Sequence, residues 1–212
     1  MAMGDASGWF APERVPCSVL REFLLGRFAE FTQHGIRNTQ HISHFSLART
    51  AKWHPIACMK ELPHTHSCFV CGDANAIGLN LRFETDGHVV RTRFTPRPEH
   101  IGFKQVVHGG IIATLLDEIM VWACVAKTRR LAYCAEMTVR FLHPLRPGEE
   151  TIATGELAAN RRDRIFEAKA DLKDANGKIF AMARGKYLPV KQTDLSDMAT
   201  DLVGDPEQLL NP

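Results

Sequence analysis

His108-Gly109-Gly110-Ile111-Ile112-Ala113-Thr114-Leu115-Leu116-Asp117-Glu118-Ile119-Met120-Val121-Trp122-Ala123-Cys124-Val125-Ala126 is the stretch whose reading decides the fold. Residues 111–126 read as one helix of about four turns. Apolar side chains occupy nearly every position, so no solvent face can be drawn, and such a helix is expected to be buried all round. Two adjacent acids, Asp117 and Glu118, nevertheless stand in its middle. Burying an unpaired carboxylate costs several kcal/mol or raises its pKa, so a chain that keeps one there is expected to use it. Gly109 and Gly110 leave bare backbone N–H groups at the positive end of the helix dipole, where a polarised carbonyl oxygen would be stabilised.

Around this helix the pattern is that of strands. Residues 79–85 and 88–95 alternate in character across Asp86-Gly87, a hairpin turn pair. Residues 97–107 read as a loop. After the helix come four longer runs of period two, 131–142, 150–159, 165–174 and 178–189. In the last, Ile179, Ala181, Ala183, Gly185 and Tyr187 share one side, with Lys178, Arg184 and Lys186 on the other. The separators at 143–148, 160–164 and Asn176-Gly177 are credible reversals. Two strands, one helix and four strands predict an α+β fold, an antiparallel sheet of about six strands wrapped around one long buried helix. Whatever part of the apolar helix the sheet leaves uncovered needs a second cover, which another copy of the chain would supply.

The flanks differ. Residues 1–58 form an expected poorly packed extension, in which 15–33 could make an amphipathic helix with Val19, Phe23, Leu24, Phe28 and Phe31 on one side. Met59 reads like a natural protein start, and 59–190 is the expected domain. Residues 191–212 carry five acids and one base, and are expected to form a mobile acidic tail.

Composition narrows the function classes. The chain's 212 residues hold 45% hydrophobic and 24% charged residues, ample for a globular core, with a net charge of +2. No basic stripe with interleaved aromatics suggests nucleic acid. No uninterrupted apolar run approaches the roughly 18 residues of a membrane span, and no secretory signal opens the chain. Six irregularly spaced cysteines do not make a disulfide scaffold, so a cytoplasmic protein with reduced thiols is expected.

The His108-Gly109-Gly110 triplet with Asp117 nine residues after the histidine, Cys68-Phe69-Val70-Cys71-Gly72 with Asn75, Gly78 and Leu79, and Glu136–Phe141 with Pro144 and Gly148 together resemble the hotdog-fold acyl-coenzyme A thioesterases of the PaaI-like group. The resemblance covers residues 59–190. It implies a homodimer or dimer of dimers that hydrolyses an acyl-CoA thioester without a cofactor. It also implies that the Gly110 amide polarises the thioester carbonyl and that His108 orients the turn or the substrate. Asp117 of one subunit would face Gly110 of the other, acting as general base or as nucleophile. Two positions depart from the family: Gly102 stands where many relatives carry asparagine, and Cys134 where a serine or threonine often positions water.

Other residues complete the expectation. Gly109, Thr114 and Cys134 would line the substrate site. Arg161, Arg162 and Arg164 in one strand connection, or Arg97 and Lys104 ahead of the helix, would meet the phosphates of coenzyme A. Each has a plainer reading: Asp117 as a buried acid satisfied by threonine and backbone, Thr114 bonded to its own helix, the arginines as an ordinary charged turn. Glu118 is the rival base, about 100° around the helix, and is expected to pair with a basic side chain. Cys68-x-x-Cys71 has zinc-knuckle spacing with His64 or His66 nearby, but no second such pair exists and no metal is assigned. The competing functions are a non-hydrolytic acyl-CoA binder or sensor and, less well matched, a hydratase.

Overall fold

The computed structural model describes residues 59–205. The expected helix at 15–33, the extension containing it, and residues 206–212 lie outside the described residues. In chain order the elements are β1 (Lys60–Glu61), β2 (His64–Thr65), β3 (Glu84–Thr85), β4 (Val90–Phe94), β5 (Ile101–Phe103), β6 (Val106–Val107), α1 (Gly109–Thr128), β7 (Ala132–Phe141), β8 (Thr151–Arg161), β9 (Ile165–Lys173), β10 (Ile179–Pro189), α2 (Leu195–Ala199) and β11 (Leu202–Val203). Seven strands form one sheet in the order β1-β3-β4-β8-β9-β10-β7, with every neighbouring pair antiparallel. The sheet wraps α1, as the alternation of apolar and polar residues predicts. This is the hotdog arrangement.

Period two explains which face meets the helix. Val90, Thr92 and Phe94 of β4 are buried while Arg91 and Arg93 are exposed. Phe166, Ala168, Ala170 and Leu172 do the same for β9, and Ala181, Ala183 and Tyr187 for β10. Phe180 is buried as well, because the β9–β10 register shifts between Ile179 and Ala181. Ala153, Ala168, Ala170, Ala181 and Ala183 keep parts of the sheet floor low, so the helix axis can approach closely there. At Gly155 that approach is limiting, since an added Cβ would lie 2.9 Å from the Ile119 carbonyl oxygen on α1.

The helix is not buried all round. Ile112, Leu115, Leu116, Ile119, Met120, Trp122, Ala123, Cys124 and Val125 are buried, but Gly110, Ala113, Thr114, Asp117 and Val121 stay partly open. Their spacing is that of one helical face, the side a single sheet cannot reach. Although the two acids interrupt the apolar run, the mean hydropathy of 1.7 makes Gly109–Thr128 long and apolar enough to cross a membrane by composition alone. In this fold it is the core helix of the sheet.

Three segments depart from the sequence reading. Residues 97–107 are not a plain loop: Pro98–His100 make a 3-10 turn, and β5 pairs with β6 across Lys104 and Gln105, both in the left-handed region at φ 44° and 61°. The 79–85 run joins the sheet only at Glu84–Thr85. Its earlier amides turn to the cysteine segment, Leu79 N–H to Phe69 C=O at 2.7 Å and Leu81 N–H to Val70 C=O at 2.8 Å. Residues 191–205 are structured: β11 pairs with β2, the Ser67 hydroxyl donates to Asp201 at 2.7 Å, and Leu195, Met198 and Leu202 pack on the core.

Candidate active site

His108 is the N-cap of α1, positioned by backbone bonds on both flanks: its N–H donates to His100 C=O and that of Val107 to Leu145 C=O, each at 2.8 Å. Its ring Nδ1 accepts the N–H of Gly110 at 2.9 Å. The Gly110 amide, expected to be open to a substrate oxygen, is therefore engaged by the histidine. The departure at residue 102 explains how. A Cβ on Gly102 would lie 2.9 Å from His108 Cδ2, so a glycine there gives the ring room to fold against β5. His108 and Gly110 are both exposed, and Gly109 abuts the ring of Phe141.

Asp117 stands seven residues beyond Gly110 on the same partly open face, about 10 Å further along the axis at 1.5 Å per residue. The Tyr187 hydroxyl donates to Asp117 Oδ1 at 2.9 Å. Tyr187 is fully buried on β10. Burial, reinforced by the Asp117 charge, holds its phenol well above the usual range, so it remains a donor. Cys134 pairs with Tyr187 across β7 and β10, and its thiol is pushed up to about 11 by partial desolvation first and by Asp117 second. The structure thus brings Asp117, Cys134 and Tyr187 together. The only sequence signal for Tyr187 was its place on the inward side of the last strand.

Glu118 points elsewhere. Its Oε1 accepts from Trp122 Nε1 at 2.9 Å, from the Cys71 thiol at 3.2 Å and from the Cys68 thiol at 3.6 Å. Burial above all pushes it up to about 7. The expectation of a basic partner is corrected: a carboxylate taken from water here is matched by two thiols and an indole. Between the thiols, mutual hydrogen bonding lowers Cys68 and raises Cys71. The two histidines near them are turned away, His66 Nδ1 lying 2.6 Å and His64 Nε2 3.6 Å from Asp73.

Arg161, Arg162 and Arg164 are exposed at the β8–β9 turn. Register places that turn at the Asp117 end of the sheet, since Arg161 pairs with Ile165, and Phe166 with Tyr187, which pairs with Cys134. Arg161 is held by Glu167 at 3.0 Å. Of the alternatives ahead of the helix, Arg97 donates to Gly78 C=O and Lys104 lies over the Phe103 ring. Thr114 lies on the open helix face between Gly110 and Asp117.

Residues 104–181 match the Thioesterase superfamily. Among solved structures, the PaaI protein of the E. coli phenylacetic acid degradation operon superposes with a TM-score of 0.50 at 22% identity, over 56% of this chain and 86% of that one. A thioesterase superfamily protein superposes with a TM-score of 0.54 at 21% identity, over 83% of this chain and 81% of that one. A Haemophilus influenzae thioesterase gives 0.50 at 16%, over 57% and 85%. No curated protein sequence matches the chain. The family match spans residues 104–181, within the domain, and the solved structures share its hotdog fold.

Proposed function

We propose that this protein hydrolyses acyl-CoA thioesters at a site shared by two copies of the chain. The observation that carries the reading is Asp117 on the open face of α1, with one oxygen fixed by a buried tyrosine and the helix N-terminus seven residues away on that face. A thioester carbonyl held by one N-terminus is about 10 Å from the same helix's aspartate, too far for a base to reach through one water. A second copy closes that gap if its α1 runs the other way across a two-fold axis. Among the described residues β7 is the last strand of the sheet and carries exposed Tyr133 and Phe141, which suits such an association.

In this reading the substrate oxygen displaces the His108 ring from the Gly110 amide, which then stabilises the developing negative charge. Asp117 of the other copy activates water or attacks the carbonyl itself. Tyr187 fixes the carboxylate, Cys134 lines the site with Gly109 and Thr114, and coenzyme A leaves with its phosphates near Arg161, Arg162 and Arg164. Reduced thiols at these positions suit a cytoplasmic setting. The measurement is thiol release from a panel of acyl-CoAs, wild type against Asp117→Asn. Loss of a general base lowers kcat by about 10²–10⁴.

One observation favours a second reading, a non-hydrolytic acyl-CoA binder: the Gly110 N–H is engaged by His108. That reading predicts saturable acyl-CoA binding with no thiol release from any member of the panel.

A further inference from the structure

We propose that Cys68, Cys71 and Glu118 form a zinc site that clasps the connection between β2 and β3 onto the core helix. The proposal is independent of the thioesterase reading, since these three side chains bond one another and Trp122, whereas Asp117 bonds Tyr187.

Geometry is the first argument. The two Sγ atoms and a Glu118 carboxylate oxygen all lie within 4.8 Å of one another. Zinc bound tetrahedrally at the usual Zn–S and Zn–O lengths separates a sulfur from an oxygen by about 3.6 Å. The observed Sγ–Oε1 separations are 3.2 Å for Cys71 and 3.6 Å for Cys68. The two sulfur–oxygen spacings therefore already match those of a bound ion to within a few tenths of an ångström.

The second argument is that both sulfurs are already surrounded by donors suited to thiolates. Val70 N–H donates to Cys68 Sγ at 3.2 Å, and Thr65 N–H to Cys71 Sγ at 3.5 Å. The Thr65 hydroxyl lies 3.4 Å from Cys71 Sγ. The turn is closed by Gly72 N–H on Cys68 C=O at 2.9 Å. On the opposite side Trp122 Nε1–H orients the carboxylate. Hydrogen bonds of this kind around a metal's ligands tune and orient them.

The ligand chemistry selects the ion. Two thiolates and one carboxylate suit a borderline-soft cation such as zinc, and not magnesium or calcium, which take oxygen. Binding exchanges the two thiol protons, released to solvent, for one divalent ion, and no electron moves. Two thiolates, one carboxylate and the cation sum to −1. The fourth position falls to water or to the Thr65 hydroxyl. Because Cys68 and Cys71 lie 50 and 47 residues before Glu118, the ion would close a long loop between the β2–β3 connection and α1.

The test uses the full chain carrying Cys17→Ser, Cys58→Ser and Cys134→Ser, purified from zinc-supplemented medium. Expected are one zinc per chain and, after exchange to cobalt(II), sulfur-to-cobalt charge-transfer bands with the intense visible bands of tetrahedral coordination. Glu118→Gln and Cys68→Ser should each weaken zinc by at least about tenfold. If Cys68→Ser fails to fold, Glu118→Gln with an unchanged circular dichroism spectrum decides alone. A folded protein that takes up neither zinc nor cobalt with its thiols reduced would overturn the proposal. So would zinc affinity indifferent to Glu118→Gln, or a Cys68–Cys71 disulfide as the stable state in the presence of zinc.

Discussion

The Tyr187 hydroxyl donates to Asp117 Oδ1 at 2.9 Å, joining the last long strand to the middle of the core helix across 70 residues of sequence. Asp117 would be the reacting carboxylate and Tyr187 the group that positions it. Tyr187→Phe removes one hydrogen bond to a charged group, worth about 1.5–3 kcal/mol. The expected result is a kcat lower by about 10–100-fold with KM little changed, measured by thiol release. A larger change in KM than in kcat would assign the tyrosine to substrate binding.

Gly185 makes room for that tyrosine. A Cβ there would lie 2.7 Å from Tyr187 Cε2 and 2.9 Å from its hydroxyl. Gly185→Ala should therefore reproduce the kinetic defect of Tyr187→Phe. It should also cost about 1–3 kcal/mol of stability, as overpacked cores do, read by urea unfolding.

His108 serves α1 as a cap. His108→Ala removes the acceptor of the Gly110 N–H and should cost about 0.5–2 kcal/mol. Gly102→Ala should have a related effect by forcing the ring from its seat, since the added carbon meets His108 Cδ2 at 2.9 Å. The check is the unfolding midpoint of each variant. Equality of either with wild type would remove the capping role.

His100 gives the fold a pH dependence of known sign. It is buried, its ring is stacked on Phe94, and its Nδ1 accepts the Arg97 N–H at 3.1 Å. Burial first, and the Arg97 charge second, hold its folded pKa below the ordinary 6.5. As pH falls below about 6.5 the unfolded chain takes up a proton that the folded one refuses, so stability declines on acidification. It is fully present above that pH. His100→Asn, which keeps an acceptor near the Nδ1 position, should flatten this part of the curve in urea unfolding between about pH 8 and pH 5.

Much of the fold was legible because it rests on period. The helix, the four long strands and the turn at Asp86-Gly87 follow from local patterns that burial then enforces. The 101–107 hairpin was not legible, because Lys104 and Gln105 adopt left-handed backbone without the glycine or asparagine that usually announces it. The structured part of the tail was hidden by its acids, although Leu195, Met198 and Leu202 already had helical spacing. Asp117, His108 and Gly110 could be chosen from one contiguous stretch. Tyr187 could not, because a single inward aromatic on a strand is more often core than site. Glu118 misled in another way: Trp122, one turn along its own helix, could have been read as a partner, whereas the two thiols some 50 residues away could not.

The most direct test of the shared site is complementation between two defective chains. Asp117→Asn lacks the carboxylate, and Gly110→Val obstructs the helix start, where a Cβ meets His108 Nδ1 at 2.8 Å. Each homodimer should be inactive. Dissociated, mixed equally and reassociated, the two should regain about a quarter of wild-type thiol release. Half the dimers are then mixed, and each mixed dimer holds one intact pair of an aspartate and a partner's glycine. A mixture as inactive as its components, with mixed dimers demonstrably present, would contradict a site built from two copies.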